Sequence, residues 1–357
     1  MIVVMRQLGT PREYDVCTLA CDVGGTNTSI ALVGRVGTRF DILHTVRFSS
    51  QRLESMESAI QDGLRELETA LPEHHPDDIC ISGAGPVRDN RCTLTNVSWI
   101  IDGDAIERAF SIPTYVINDF TAISYGIPLL DVADPEQITP LPGPDGTLPA
   151  PRGTVQAVVG AGTGLGVGYL VEHAGRFVAL PSEGGHAAFA PYDELSAEML
   201  RFVTEIDGAV PGTELFVSGQ GLTRALRFFR ETRRIPASSP LAGRDHEDPA
   251  AAVSVAAAEG DPAAREIMTL FIRNYARAAS DTALHFLPEG GLFLAGGIVT
   301  KNEPLFLEEA RFTSLFVRNY RPHIAELLRS IPVYIVKDYA ISLYGAAHAA
   351  YALAPHT

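Results

Sequence analysis

Lysine is almost missing from this chain of 357 residues: of its 28 cationic side chains only Lys301 and Lys337 are lysines, and the rest are arginines. Neither lysine follows a glycine, so the Gly-Lys step of a Walker A loop does not occur and P-loop chemistry is excluded. Basic runs are missing as well. Against 43 acidic residues the cations leave a net charge of −15, which makes nucleic acid and anionic membrane unsuitable partners. Cysteine is scarce at four residues with no C-x-x-C pair, which excludes a disulfide-stapled scaffold and a cysteine-rich zinc loop. Cys17 and Cys21 share one apolar run and read as small buried hydrophobes, the pattern of a reducing compartment. No stretch approaches roughly 18 uninterrupted apolar residues, and the apolar start between Met1 and Pro11 is broken by Arg6, too short for a signal-peptide core. The expectation is therefore a cytoplasmic protein, and the N-x-S/T sequons at Asn27 and Asn96 read as accidental. An anionic substrate has to be held by backbone N–H groups, a metal or single arginines, because the overall field repels it.

At roughly 150 residues per domain the length favours two domains, each able to bury its own core. Three short strands open the chain: Val16 to Asp22, Ser29 to Val33 and Phe40 to Phe48, joined by glycine-containing turns. Leu53, Met56, Ile60, Leu64, Leu67 and Leu71 then recur at helical spacing until Pro72 stops the pattern. Brief strands at 79–81 and 114–117 flank a helix near 102–110. The pattern restarts with the strand Val155 to Val159, the turn Gly160-Ala-Gly-Thr-Gly-Leu-Gly166 and two further strands. Asp261 and Pro262 make an N-cap and first-turn pair for a long helix reaching Leu287, followed by the strand Leu292 to Ala295 and Gly296-Gly297. Two α/β halves, each opened by a glycine hairpin, are expected, with proline-rich surface loops at 131–153 and 232–250.

The glycine spacings match no Rossmann fingerprint, and no helical pattern follows either turn, so a nicotinamide cofactor is disfavoured. What remains is a strand-turn-strand hairpin. Its glycines permit positive φ, which lets successive N–H groups converge on phosphate oxygens, with Thr26 and Thr163 adding hydroxyls. Asp22, ending an apolar strand, either caps the turn or holds Mg²⁺ through water beside the phosphates.

Asn118-Asp119 ends the strand at 114–117, where open α/β sheets gather ligands. Glu183 and His186 lie three apart across two glycines, and Glu214 follows a Pro-Gly turn. Carboxylates, an amide and an imidazole supply the donors and acceptors that a polyhydroxylated ligand needs.

Six segments occur in order: Leu19-Ala-Cys-Asp-Val-Gly-Gly-Thr-Asn27, Ile117-Asn-Asp-Phe-Thr-Ala122, Gly160-Ala-Gly-Thr-Gly-Leu-Gly-Val167, Glu183-Gly-Gly-His186, Ser218-Gly-Gln-Gly-Leu222 and Leu294-Ala-Gly-Gly-Ile298. In these the chain resembles the bacterial-type ATP-dependent glucokinases from about residue 16 onward. The resemblance implies the two-domain actin/hexokinase-like (ribonuclease H-like) α/β fold with an interdomain cleft. Residues 1–128 with 338–357 would form a small domain and 129–337 a large one.

It further implies ATP, Mg²⁺ and glucose as ligands and a homodimer, with Asp119 as catalytic base. Asn118, Glu183, His186, Glu214 and Asn96 would face the sugar. Asp22, Gly24, Gly25, Thr26, Asn27, Gly162, Thr163 and Gly164 would form the two phosphate turns, and Gly296, Gly297 and Ile298 would lie near adenine. Ser182 stands where the family usually has glycine and Gln220 where it often has proline, which bears on sugar selectivity. The rival readings are a kinase for mannose or an amino sugar, and an actin- or chaperone-like ATPase, in which Glu183, His186 and Glu214 have no shared purpose.

Overall fold

A computed structural model describes residues 2–4, 13–94, 99–208, 210–243 and 246–354. The chain divides into two compact units: one holds the chain to Leu130, Glu172–Leu180 and the chain from Asp338 on, the other Asp131–Val171 and Pro181–Lys337.

In the first unit, β1 (Ile2–Val4), β2 (Val16–Val23), β3 (Asn27–Val36), β4 (Arg39–Ser49), β5 (Asp78–Gly83) and β9 (Thr114–Asn118) form one sheet in the order β1-β4-β3-β2-β5-β9. The hairpins β2–β3 and β3–β4 are antiparallel, whereas β2, β5 and β9 run parallel, so that Val23, Gly83 and Asn118 end side by side. Apolar residues of both faces are buried, as a covered sheet requires: Leu19, Cys21, Ile30, Leu32, Ile79 and Ile81 on one face and Ala20, Ala31 and Cys80 on the other are all fully inaccessible. The amphipathic helix starts at Met56 rather than Leu53, because Ser55 and Ser58 cap each other's backbone there, and it ends at Ala70 before Pro72.

Three small strands that the sequence reading did not anticipate, β6 (Val87–Arg88), β7 (Arg91–Thr93) and β8 (Ile100–Asp102), make a separate sheet. Asn90, at the tip of the β6–β7 hairpin, pins it to β9: its side chain accepts from Val116 N at 2.8 Å and donates to Thr114 O at 3.0 Å. Its φ of 55° is one that Asn tolerates better than most residues.

The helix Asp119–Gly126 follows β9 directly and packs against the C-terminal helix Ile341–Leu353 and against the strand Arg176–Leu180. Two glycines permit the helix contact. A Cβ on Gly345 would lie 1.7 Å from Ala122 O, and one on Gly126 would lie 2.5 Å from Ile341.

In the second unit the sheet contains, in order, β10 (Ile138–Leu141), β15 (Val333–Val336), β14 (Leu292–Ala295), β11 (Val155–Ala161) and β12 (Leu165–His173), Arg176–Leu180 above being β13. β10 lies inside the proline-rich stretch expected to be loop throughout. It survives there because Pro140 sits on an edge strand, paired only with β15, where a missing N–H costs little. The long helix runs Pro262–Phe286, capped by Asp261 and ended by Leu287 in the left-handed region. Its buried Tyr275 donates to Val159 O at 2.6 Å, fastening the helix to β11. Cys17, Cys21, Cys80 and Cys92 are all buried free thiols, and among the described residues no helix is long and apolar enough to cross a membrane.

Candidate active site

The first unit gathers its functional side chains at the C-terminal ends of β2, β5 and β9. Asp22 is half-buried, and each of its oxygens accepts a hydroxyl: Ser82 Oγ at 2.9 Å on one and Ser342 Oγ at 2.9 Å on the other. Burial raises its pKa, which these hydrogen bonds and the charge of Arg47 partly oppose.

The turn after Asp22 is braced through its carbonyls. Ser50 Oγ donates to Gly24 O at 2.6 Å, Gln51 Nε2 to Gly25 O at 2.9 Å and Ser50 N to Thr26 O at 2.9 Å. In a trans peptide the N–H opposes the carbonyl, so carbonyls tied inward turn the Gly25 and Thr26 N–H groups away from the protein. That geometry suits an anion. The expectation of positive φ fails here: Gly24 lies outside the left-handed region, as do Gly162 and Gly164 in the second turn. At 24 glycine eases a close approach instead, since a Cβ would stand 3.2 Å from Asn27 O.

Asn118 and Asp119 form the N-terminus of the helix Asp119–Gly126. Asn118 Oδ1 accepts from Phe120 N at 2.9 Å and its Nδ2 donates to Gly85 O at 3.1 Å, while Asp119 Oδ1 also accepts from Phe120 N at 2.9 Å. Burial pushes the Asp119 carboxyl up to about 6; the hydrogen bond from Phe120 N opposes the shift and the charge of Asp22 adds to it. A carboxylate held at a helix N-terminus through Phe120 N, with a pKa near neutrality, is equipped to take a proton.

The second unit presents its own turn, β11 to β12. Gly219 N donates to Gly162 O at 2.8 Å and Gly162 N to Gly164 O at 2.9 Å, which by the same peptide geometry directs the exposed Thr163 N–H outward. Glu214 Oε2 accepts from Leu165 N at 2.9 Å. Gly296, with φ of 101° and a hypothetical Cβ 2.3 Å from Ala161 O, brings the start of the Gly297–Lys301 helix, with Ile298, beside the end of β11. Glu183 caps one turn of 3₁₀ helix that His186 ends, Nε2 to Oε2 3.8 Å, with side chains 67% (His186) and 78% (Glu183) exposed.

Asp22, the 24–27 turn, Asn118 and Asp119 thus come together within the first unit. The 162–164 turn, Gly296 to Ile298, Glu183, His186 and Glu214 belong to the second. Asn96 lies outside the described residues. The motif reading did not find Ser82, Ser342, Ser50 and Gln51, which carry no local signature. Ser218 was inside a recognised motif without a role; it caps the helix Gly219–Glu231, accepting from Gly221 N at 3.0 Å and donating to Glu214 O at 2.7 Å. No group of three or more His, Cys, Asp or Glu among the described residues forms a metal cage.

The glucokinase family model matches residues 19–353. A glucokinase of Nostoc punctiforme is 35% identical over 350 residues, covering 92% of this chain and 97% of its own. Among solved structures, a glucokinase from an Antarctic psychrotroph superposes with a TM-score of 0.79 at 29% identity, over 95% of this chain and 99% of that one. A ROK family glucokinase from Streptomyces griseus, in complex with glucose and AMPPNP, gives 0.62 at 22% identity, over 93% of this chain and 98% of its own. Six ordered motifs, the hairpin turns they build and matches that run nearly end to end lead to one conclusion: the chain belongs to the glucokinase family of ATP-dependent sugar phosphotransferases, with the actin/hexokinase-like fold.

Proposed function

We propose that this chain transfers the γ-phosphoryl group of ATP to the 6-hydroxyl of D-glucose, with Asp119 accepting the hydroxyl proton as the new P–O bond forms. The observation that carries the reading is the Asp119 carboxyl itself, pinned at a helix N-terminus with a pKa raised by burial to about 6. The N–H groups of the 24–27 and 162–164 turns bind phosphate oxygens and stabilise the charge that moves during transfer, as phosphoryl transfer demands. Gly296, Gly297 and Ile298 lie against the adenine. Asn118, Glu183, His186 and Glu214 hydrogen-bond the sugar hydroxyls, and the free acceptors and donors of the exposed Glu183 and His186 suit that task.

The hard oxygen donor of Asp22, with no cage of further carboxylates among the described residues, fits a Mg²⁺ that keeps most of its waters and arrives with the nucleotide. Asp22 would hold it through water, and when bound it supplies neutralising charge at the phosphates.

The family resemblance further supports two domains, 1–128 with 338–357 and 129–337, a homodimer and a cytoplasmic location. Light scattering of the purified chain tests the dimer. The test of function is a panel of hexoses with ATP and Mg²⁺, following ADP release and identifying the product. Glucose is expected to give the highest kcat/KM and glucose 6-phosphate as product. A marked preference for mannose or an amino sugar, or ADP release independent of any sugar, overturns the reading.

A further inference from the structure

Glu214 serves two neighbours at once. Its Oε2 holds Leu165 N at 2.9 Å, and the carboxylate fills the space over Gly164, where a Cβ would stand 2.4 Å from that oxygen. The same short turn is tied to the segment bearing His186: Thr213 N and Oγ1 both donate to Ala187 O, at 2.8 and 2.9 Å, and Ala188 bridges Gly212. Gly185 in turn lies so close to Leu165 that a Cβ would come within 2.0 Å of its carbonyl oxygen. Gly219 N completes the frame from the far side, holding Gly162 O at 2.8 Å.

From this we infer that Glu214 is a positioning residue of the 162–165 phosphate turn as well as a sugar contact, and that through it sugar occupancy raises nucleotide affinity. The inference rests on the sugar-kinase reading above. A sugar hydroxyl donating to the free oxygen Oε1 restrains the carboxylate that fixes the turn, so sugar and nucleotide each order what the other needs. By linkage the effect is reciprocal.

The test is calorimetric titration of ADP at fixed Mg²⁺, with and without saturating glucose, so that no turnover intervenes. In the wild type glucose is expected to lower the ADP Kd by about 5-fold or more. Gly164→Ala displaces the Glu214 carboxylate without deleting it. There, with glucose raised to saturation, the glucose effect on ADP should fall to nearly none, and the affinity for glucose alone should weaken as well, since the displaced carboxylate is also the sugar contact.

Two further variants separate bracing from sugar contact. Glu214→Gln keeps an oxygen for Leu165 N–H, so ADP affinity without sugar should hold while sugar affinity drops. Glu214→Ala removes the brace, and ADP affinity without sugar should weaken by about 5-fold. If both variants bind ADP like the wild type, or if Gly164→Ala keeps the full glucose effect, Glu214 is a sugar contact alone and the inference is overturned. A wild type that phosphorylates glucose but shows no glucose effect on ADP overturns it too. A wild type that phosphorylates no hexose overturns the functional reading and this inference with it.

Discussion

In the first unit Asp22 and Asp119 are drawn into the protein, with oxygens committed to Ser82, Ser342 and Phe120 N. In the second, Glu183 and His186 stand mostly exposed, their nearest polar atoms 3.8 Å apart. The contrast follows from what each group has to do. A base needs a fixed position and a pKa near neutrality, which burial and backbone hydrogen bonds create before any ligand arrives. A ligand for sugar hydroxyls needs hydrogen-bonding capacity left unused, so the scaffold fixes its backbone turn and leaves the side chain free. Glu214 stands between the two: half-buried, with one oxygen committed and one open.

The contrast breaks most visibly at Asp119. Asp119→Asn keeps the shape and loses the base, so kcat should fall by about 100-fold or more while glucose affinity shifts little. Steady-state kinetics and glucose titration of the variant check both halves, and a kcat near that of the wild type would place the base elsewhere. Glu183→Gln should act in the opposite sense, raising the glucose KM about 10-fold with a smaller change in kcat. Equal losses in both constants would assign Glu183 to the chemistry instead.

Ser342→Ala removes one of the two hydroxyls on Asp22. A lost hydrogen bond to a carboxylate is worth roughly 1–2 kcal/mol, so kcat/KM for ATP at limiting Mg²⁺ should drop about 5- to 30-fold. An unchanged value at limiting Mg²⁺ would make the serine a packing residue.

The smallest expected effect concerns stability. Burial raises the folded-state pKa of Asp119 from 3.8 to about 6, so the ionised form is penalised. The stability that this group lends to the fold is present below the lower value and lost as pH rises through the upper one. Asp119→Asn should therefore melt higher than the wild type by up to a few degrees at pH 7.5, with the gap closing towards pH 4. A gap that widens towards acid would reverse the assigned cause of the shift.

Much of this arrangement was legible in the chain because its parts are local. A hairpin turn rich in glycine, a strand running into Asn118-Asp119 and a helix announced by Asp261-Pro262 each declare themselves within a few residues. What stayed hidden depends on distance along the chain. Ser342 reaches Asp22 from 320 residues away, and Gln51 supports Gly25 across a whole hairpin, with no spacing to betray either. The glycines misled in one respect: they suggested positive φ, but the phosphate turns are shaped by tied carbonyls, and only Gly296 among the site glycines uses that freedom. The edge strand at Ile138–Leu141 was masked by the prolines around it, since proline argues against a strand only where both neighbours need its N–H.

The most direct test of the central claim is the pH dependence of kcat/KM for glucose at saturating ATP, measured in the wild type and in Asp119→Asn. The wild type should lose a decade per pH unit below an apparent pKa near 6, and the variant should be at least about 100-fold slower with that acid limb gone. A variant that retains the limb, or that turns over within about threefold of the wild type, contradicts a base at Asp119.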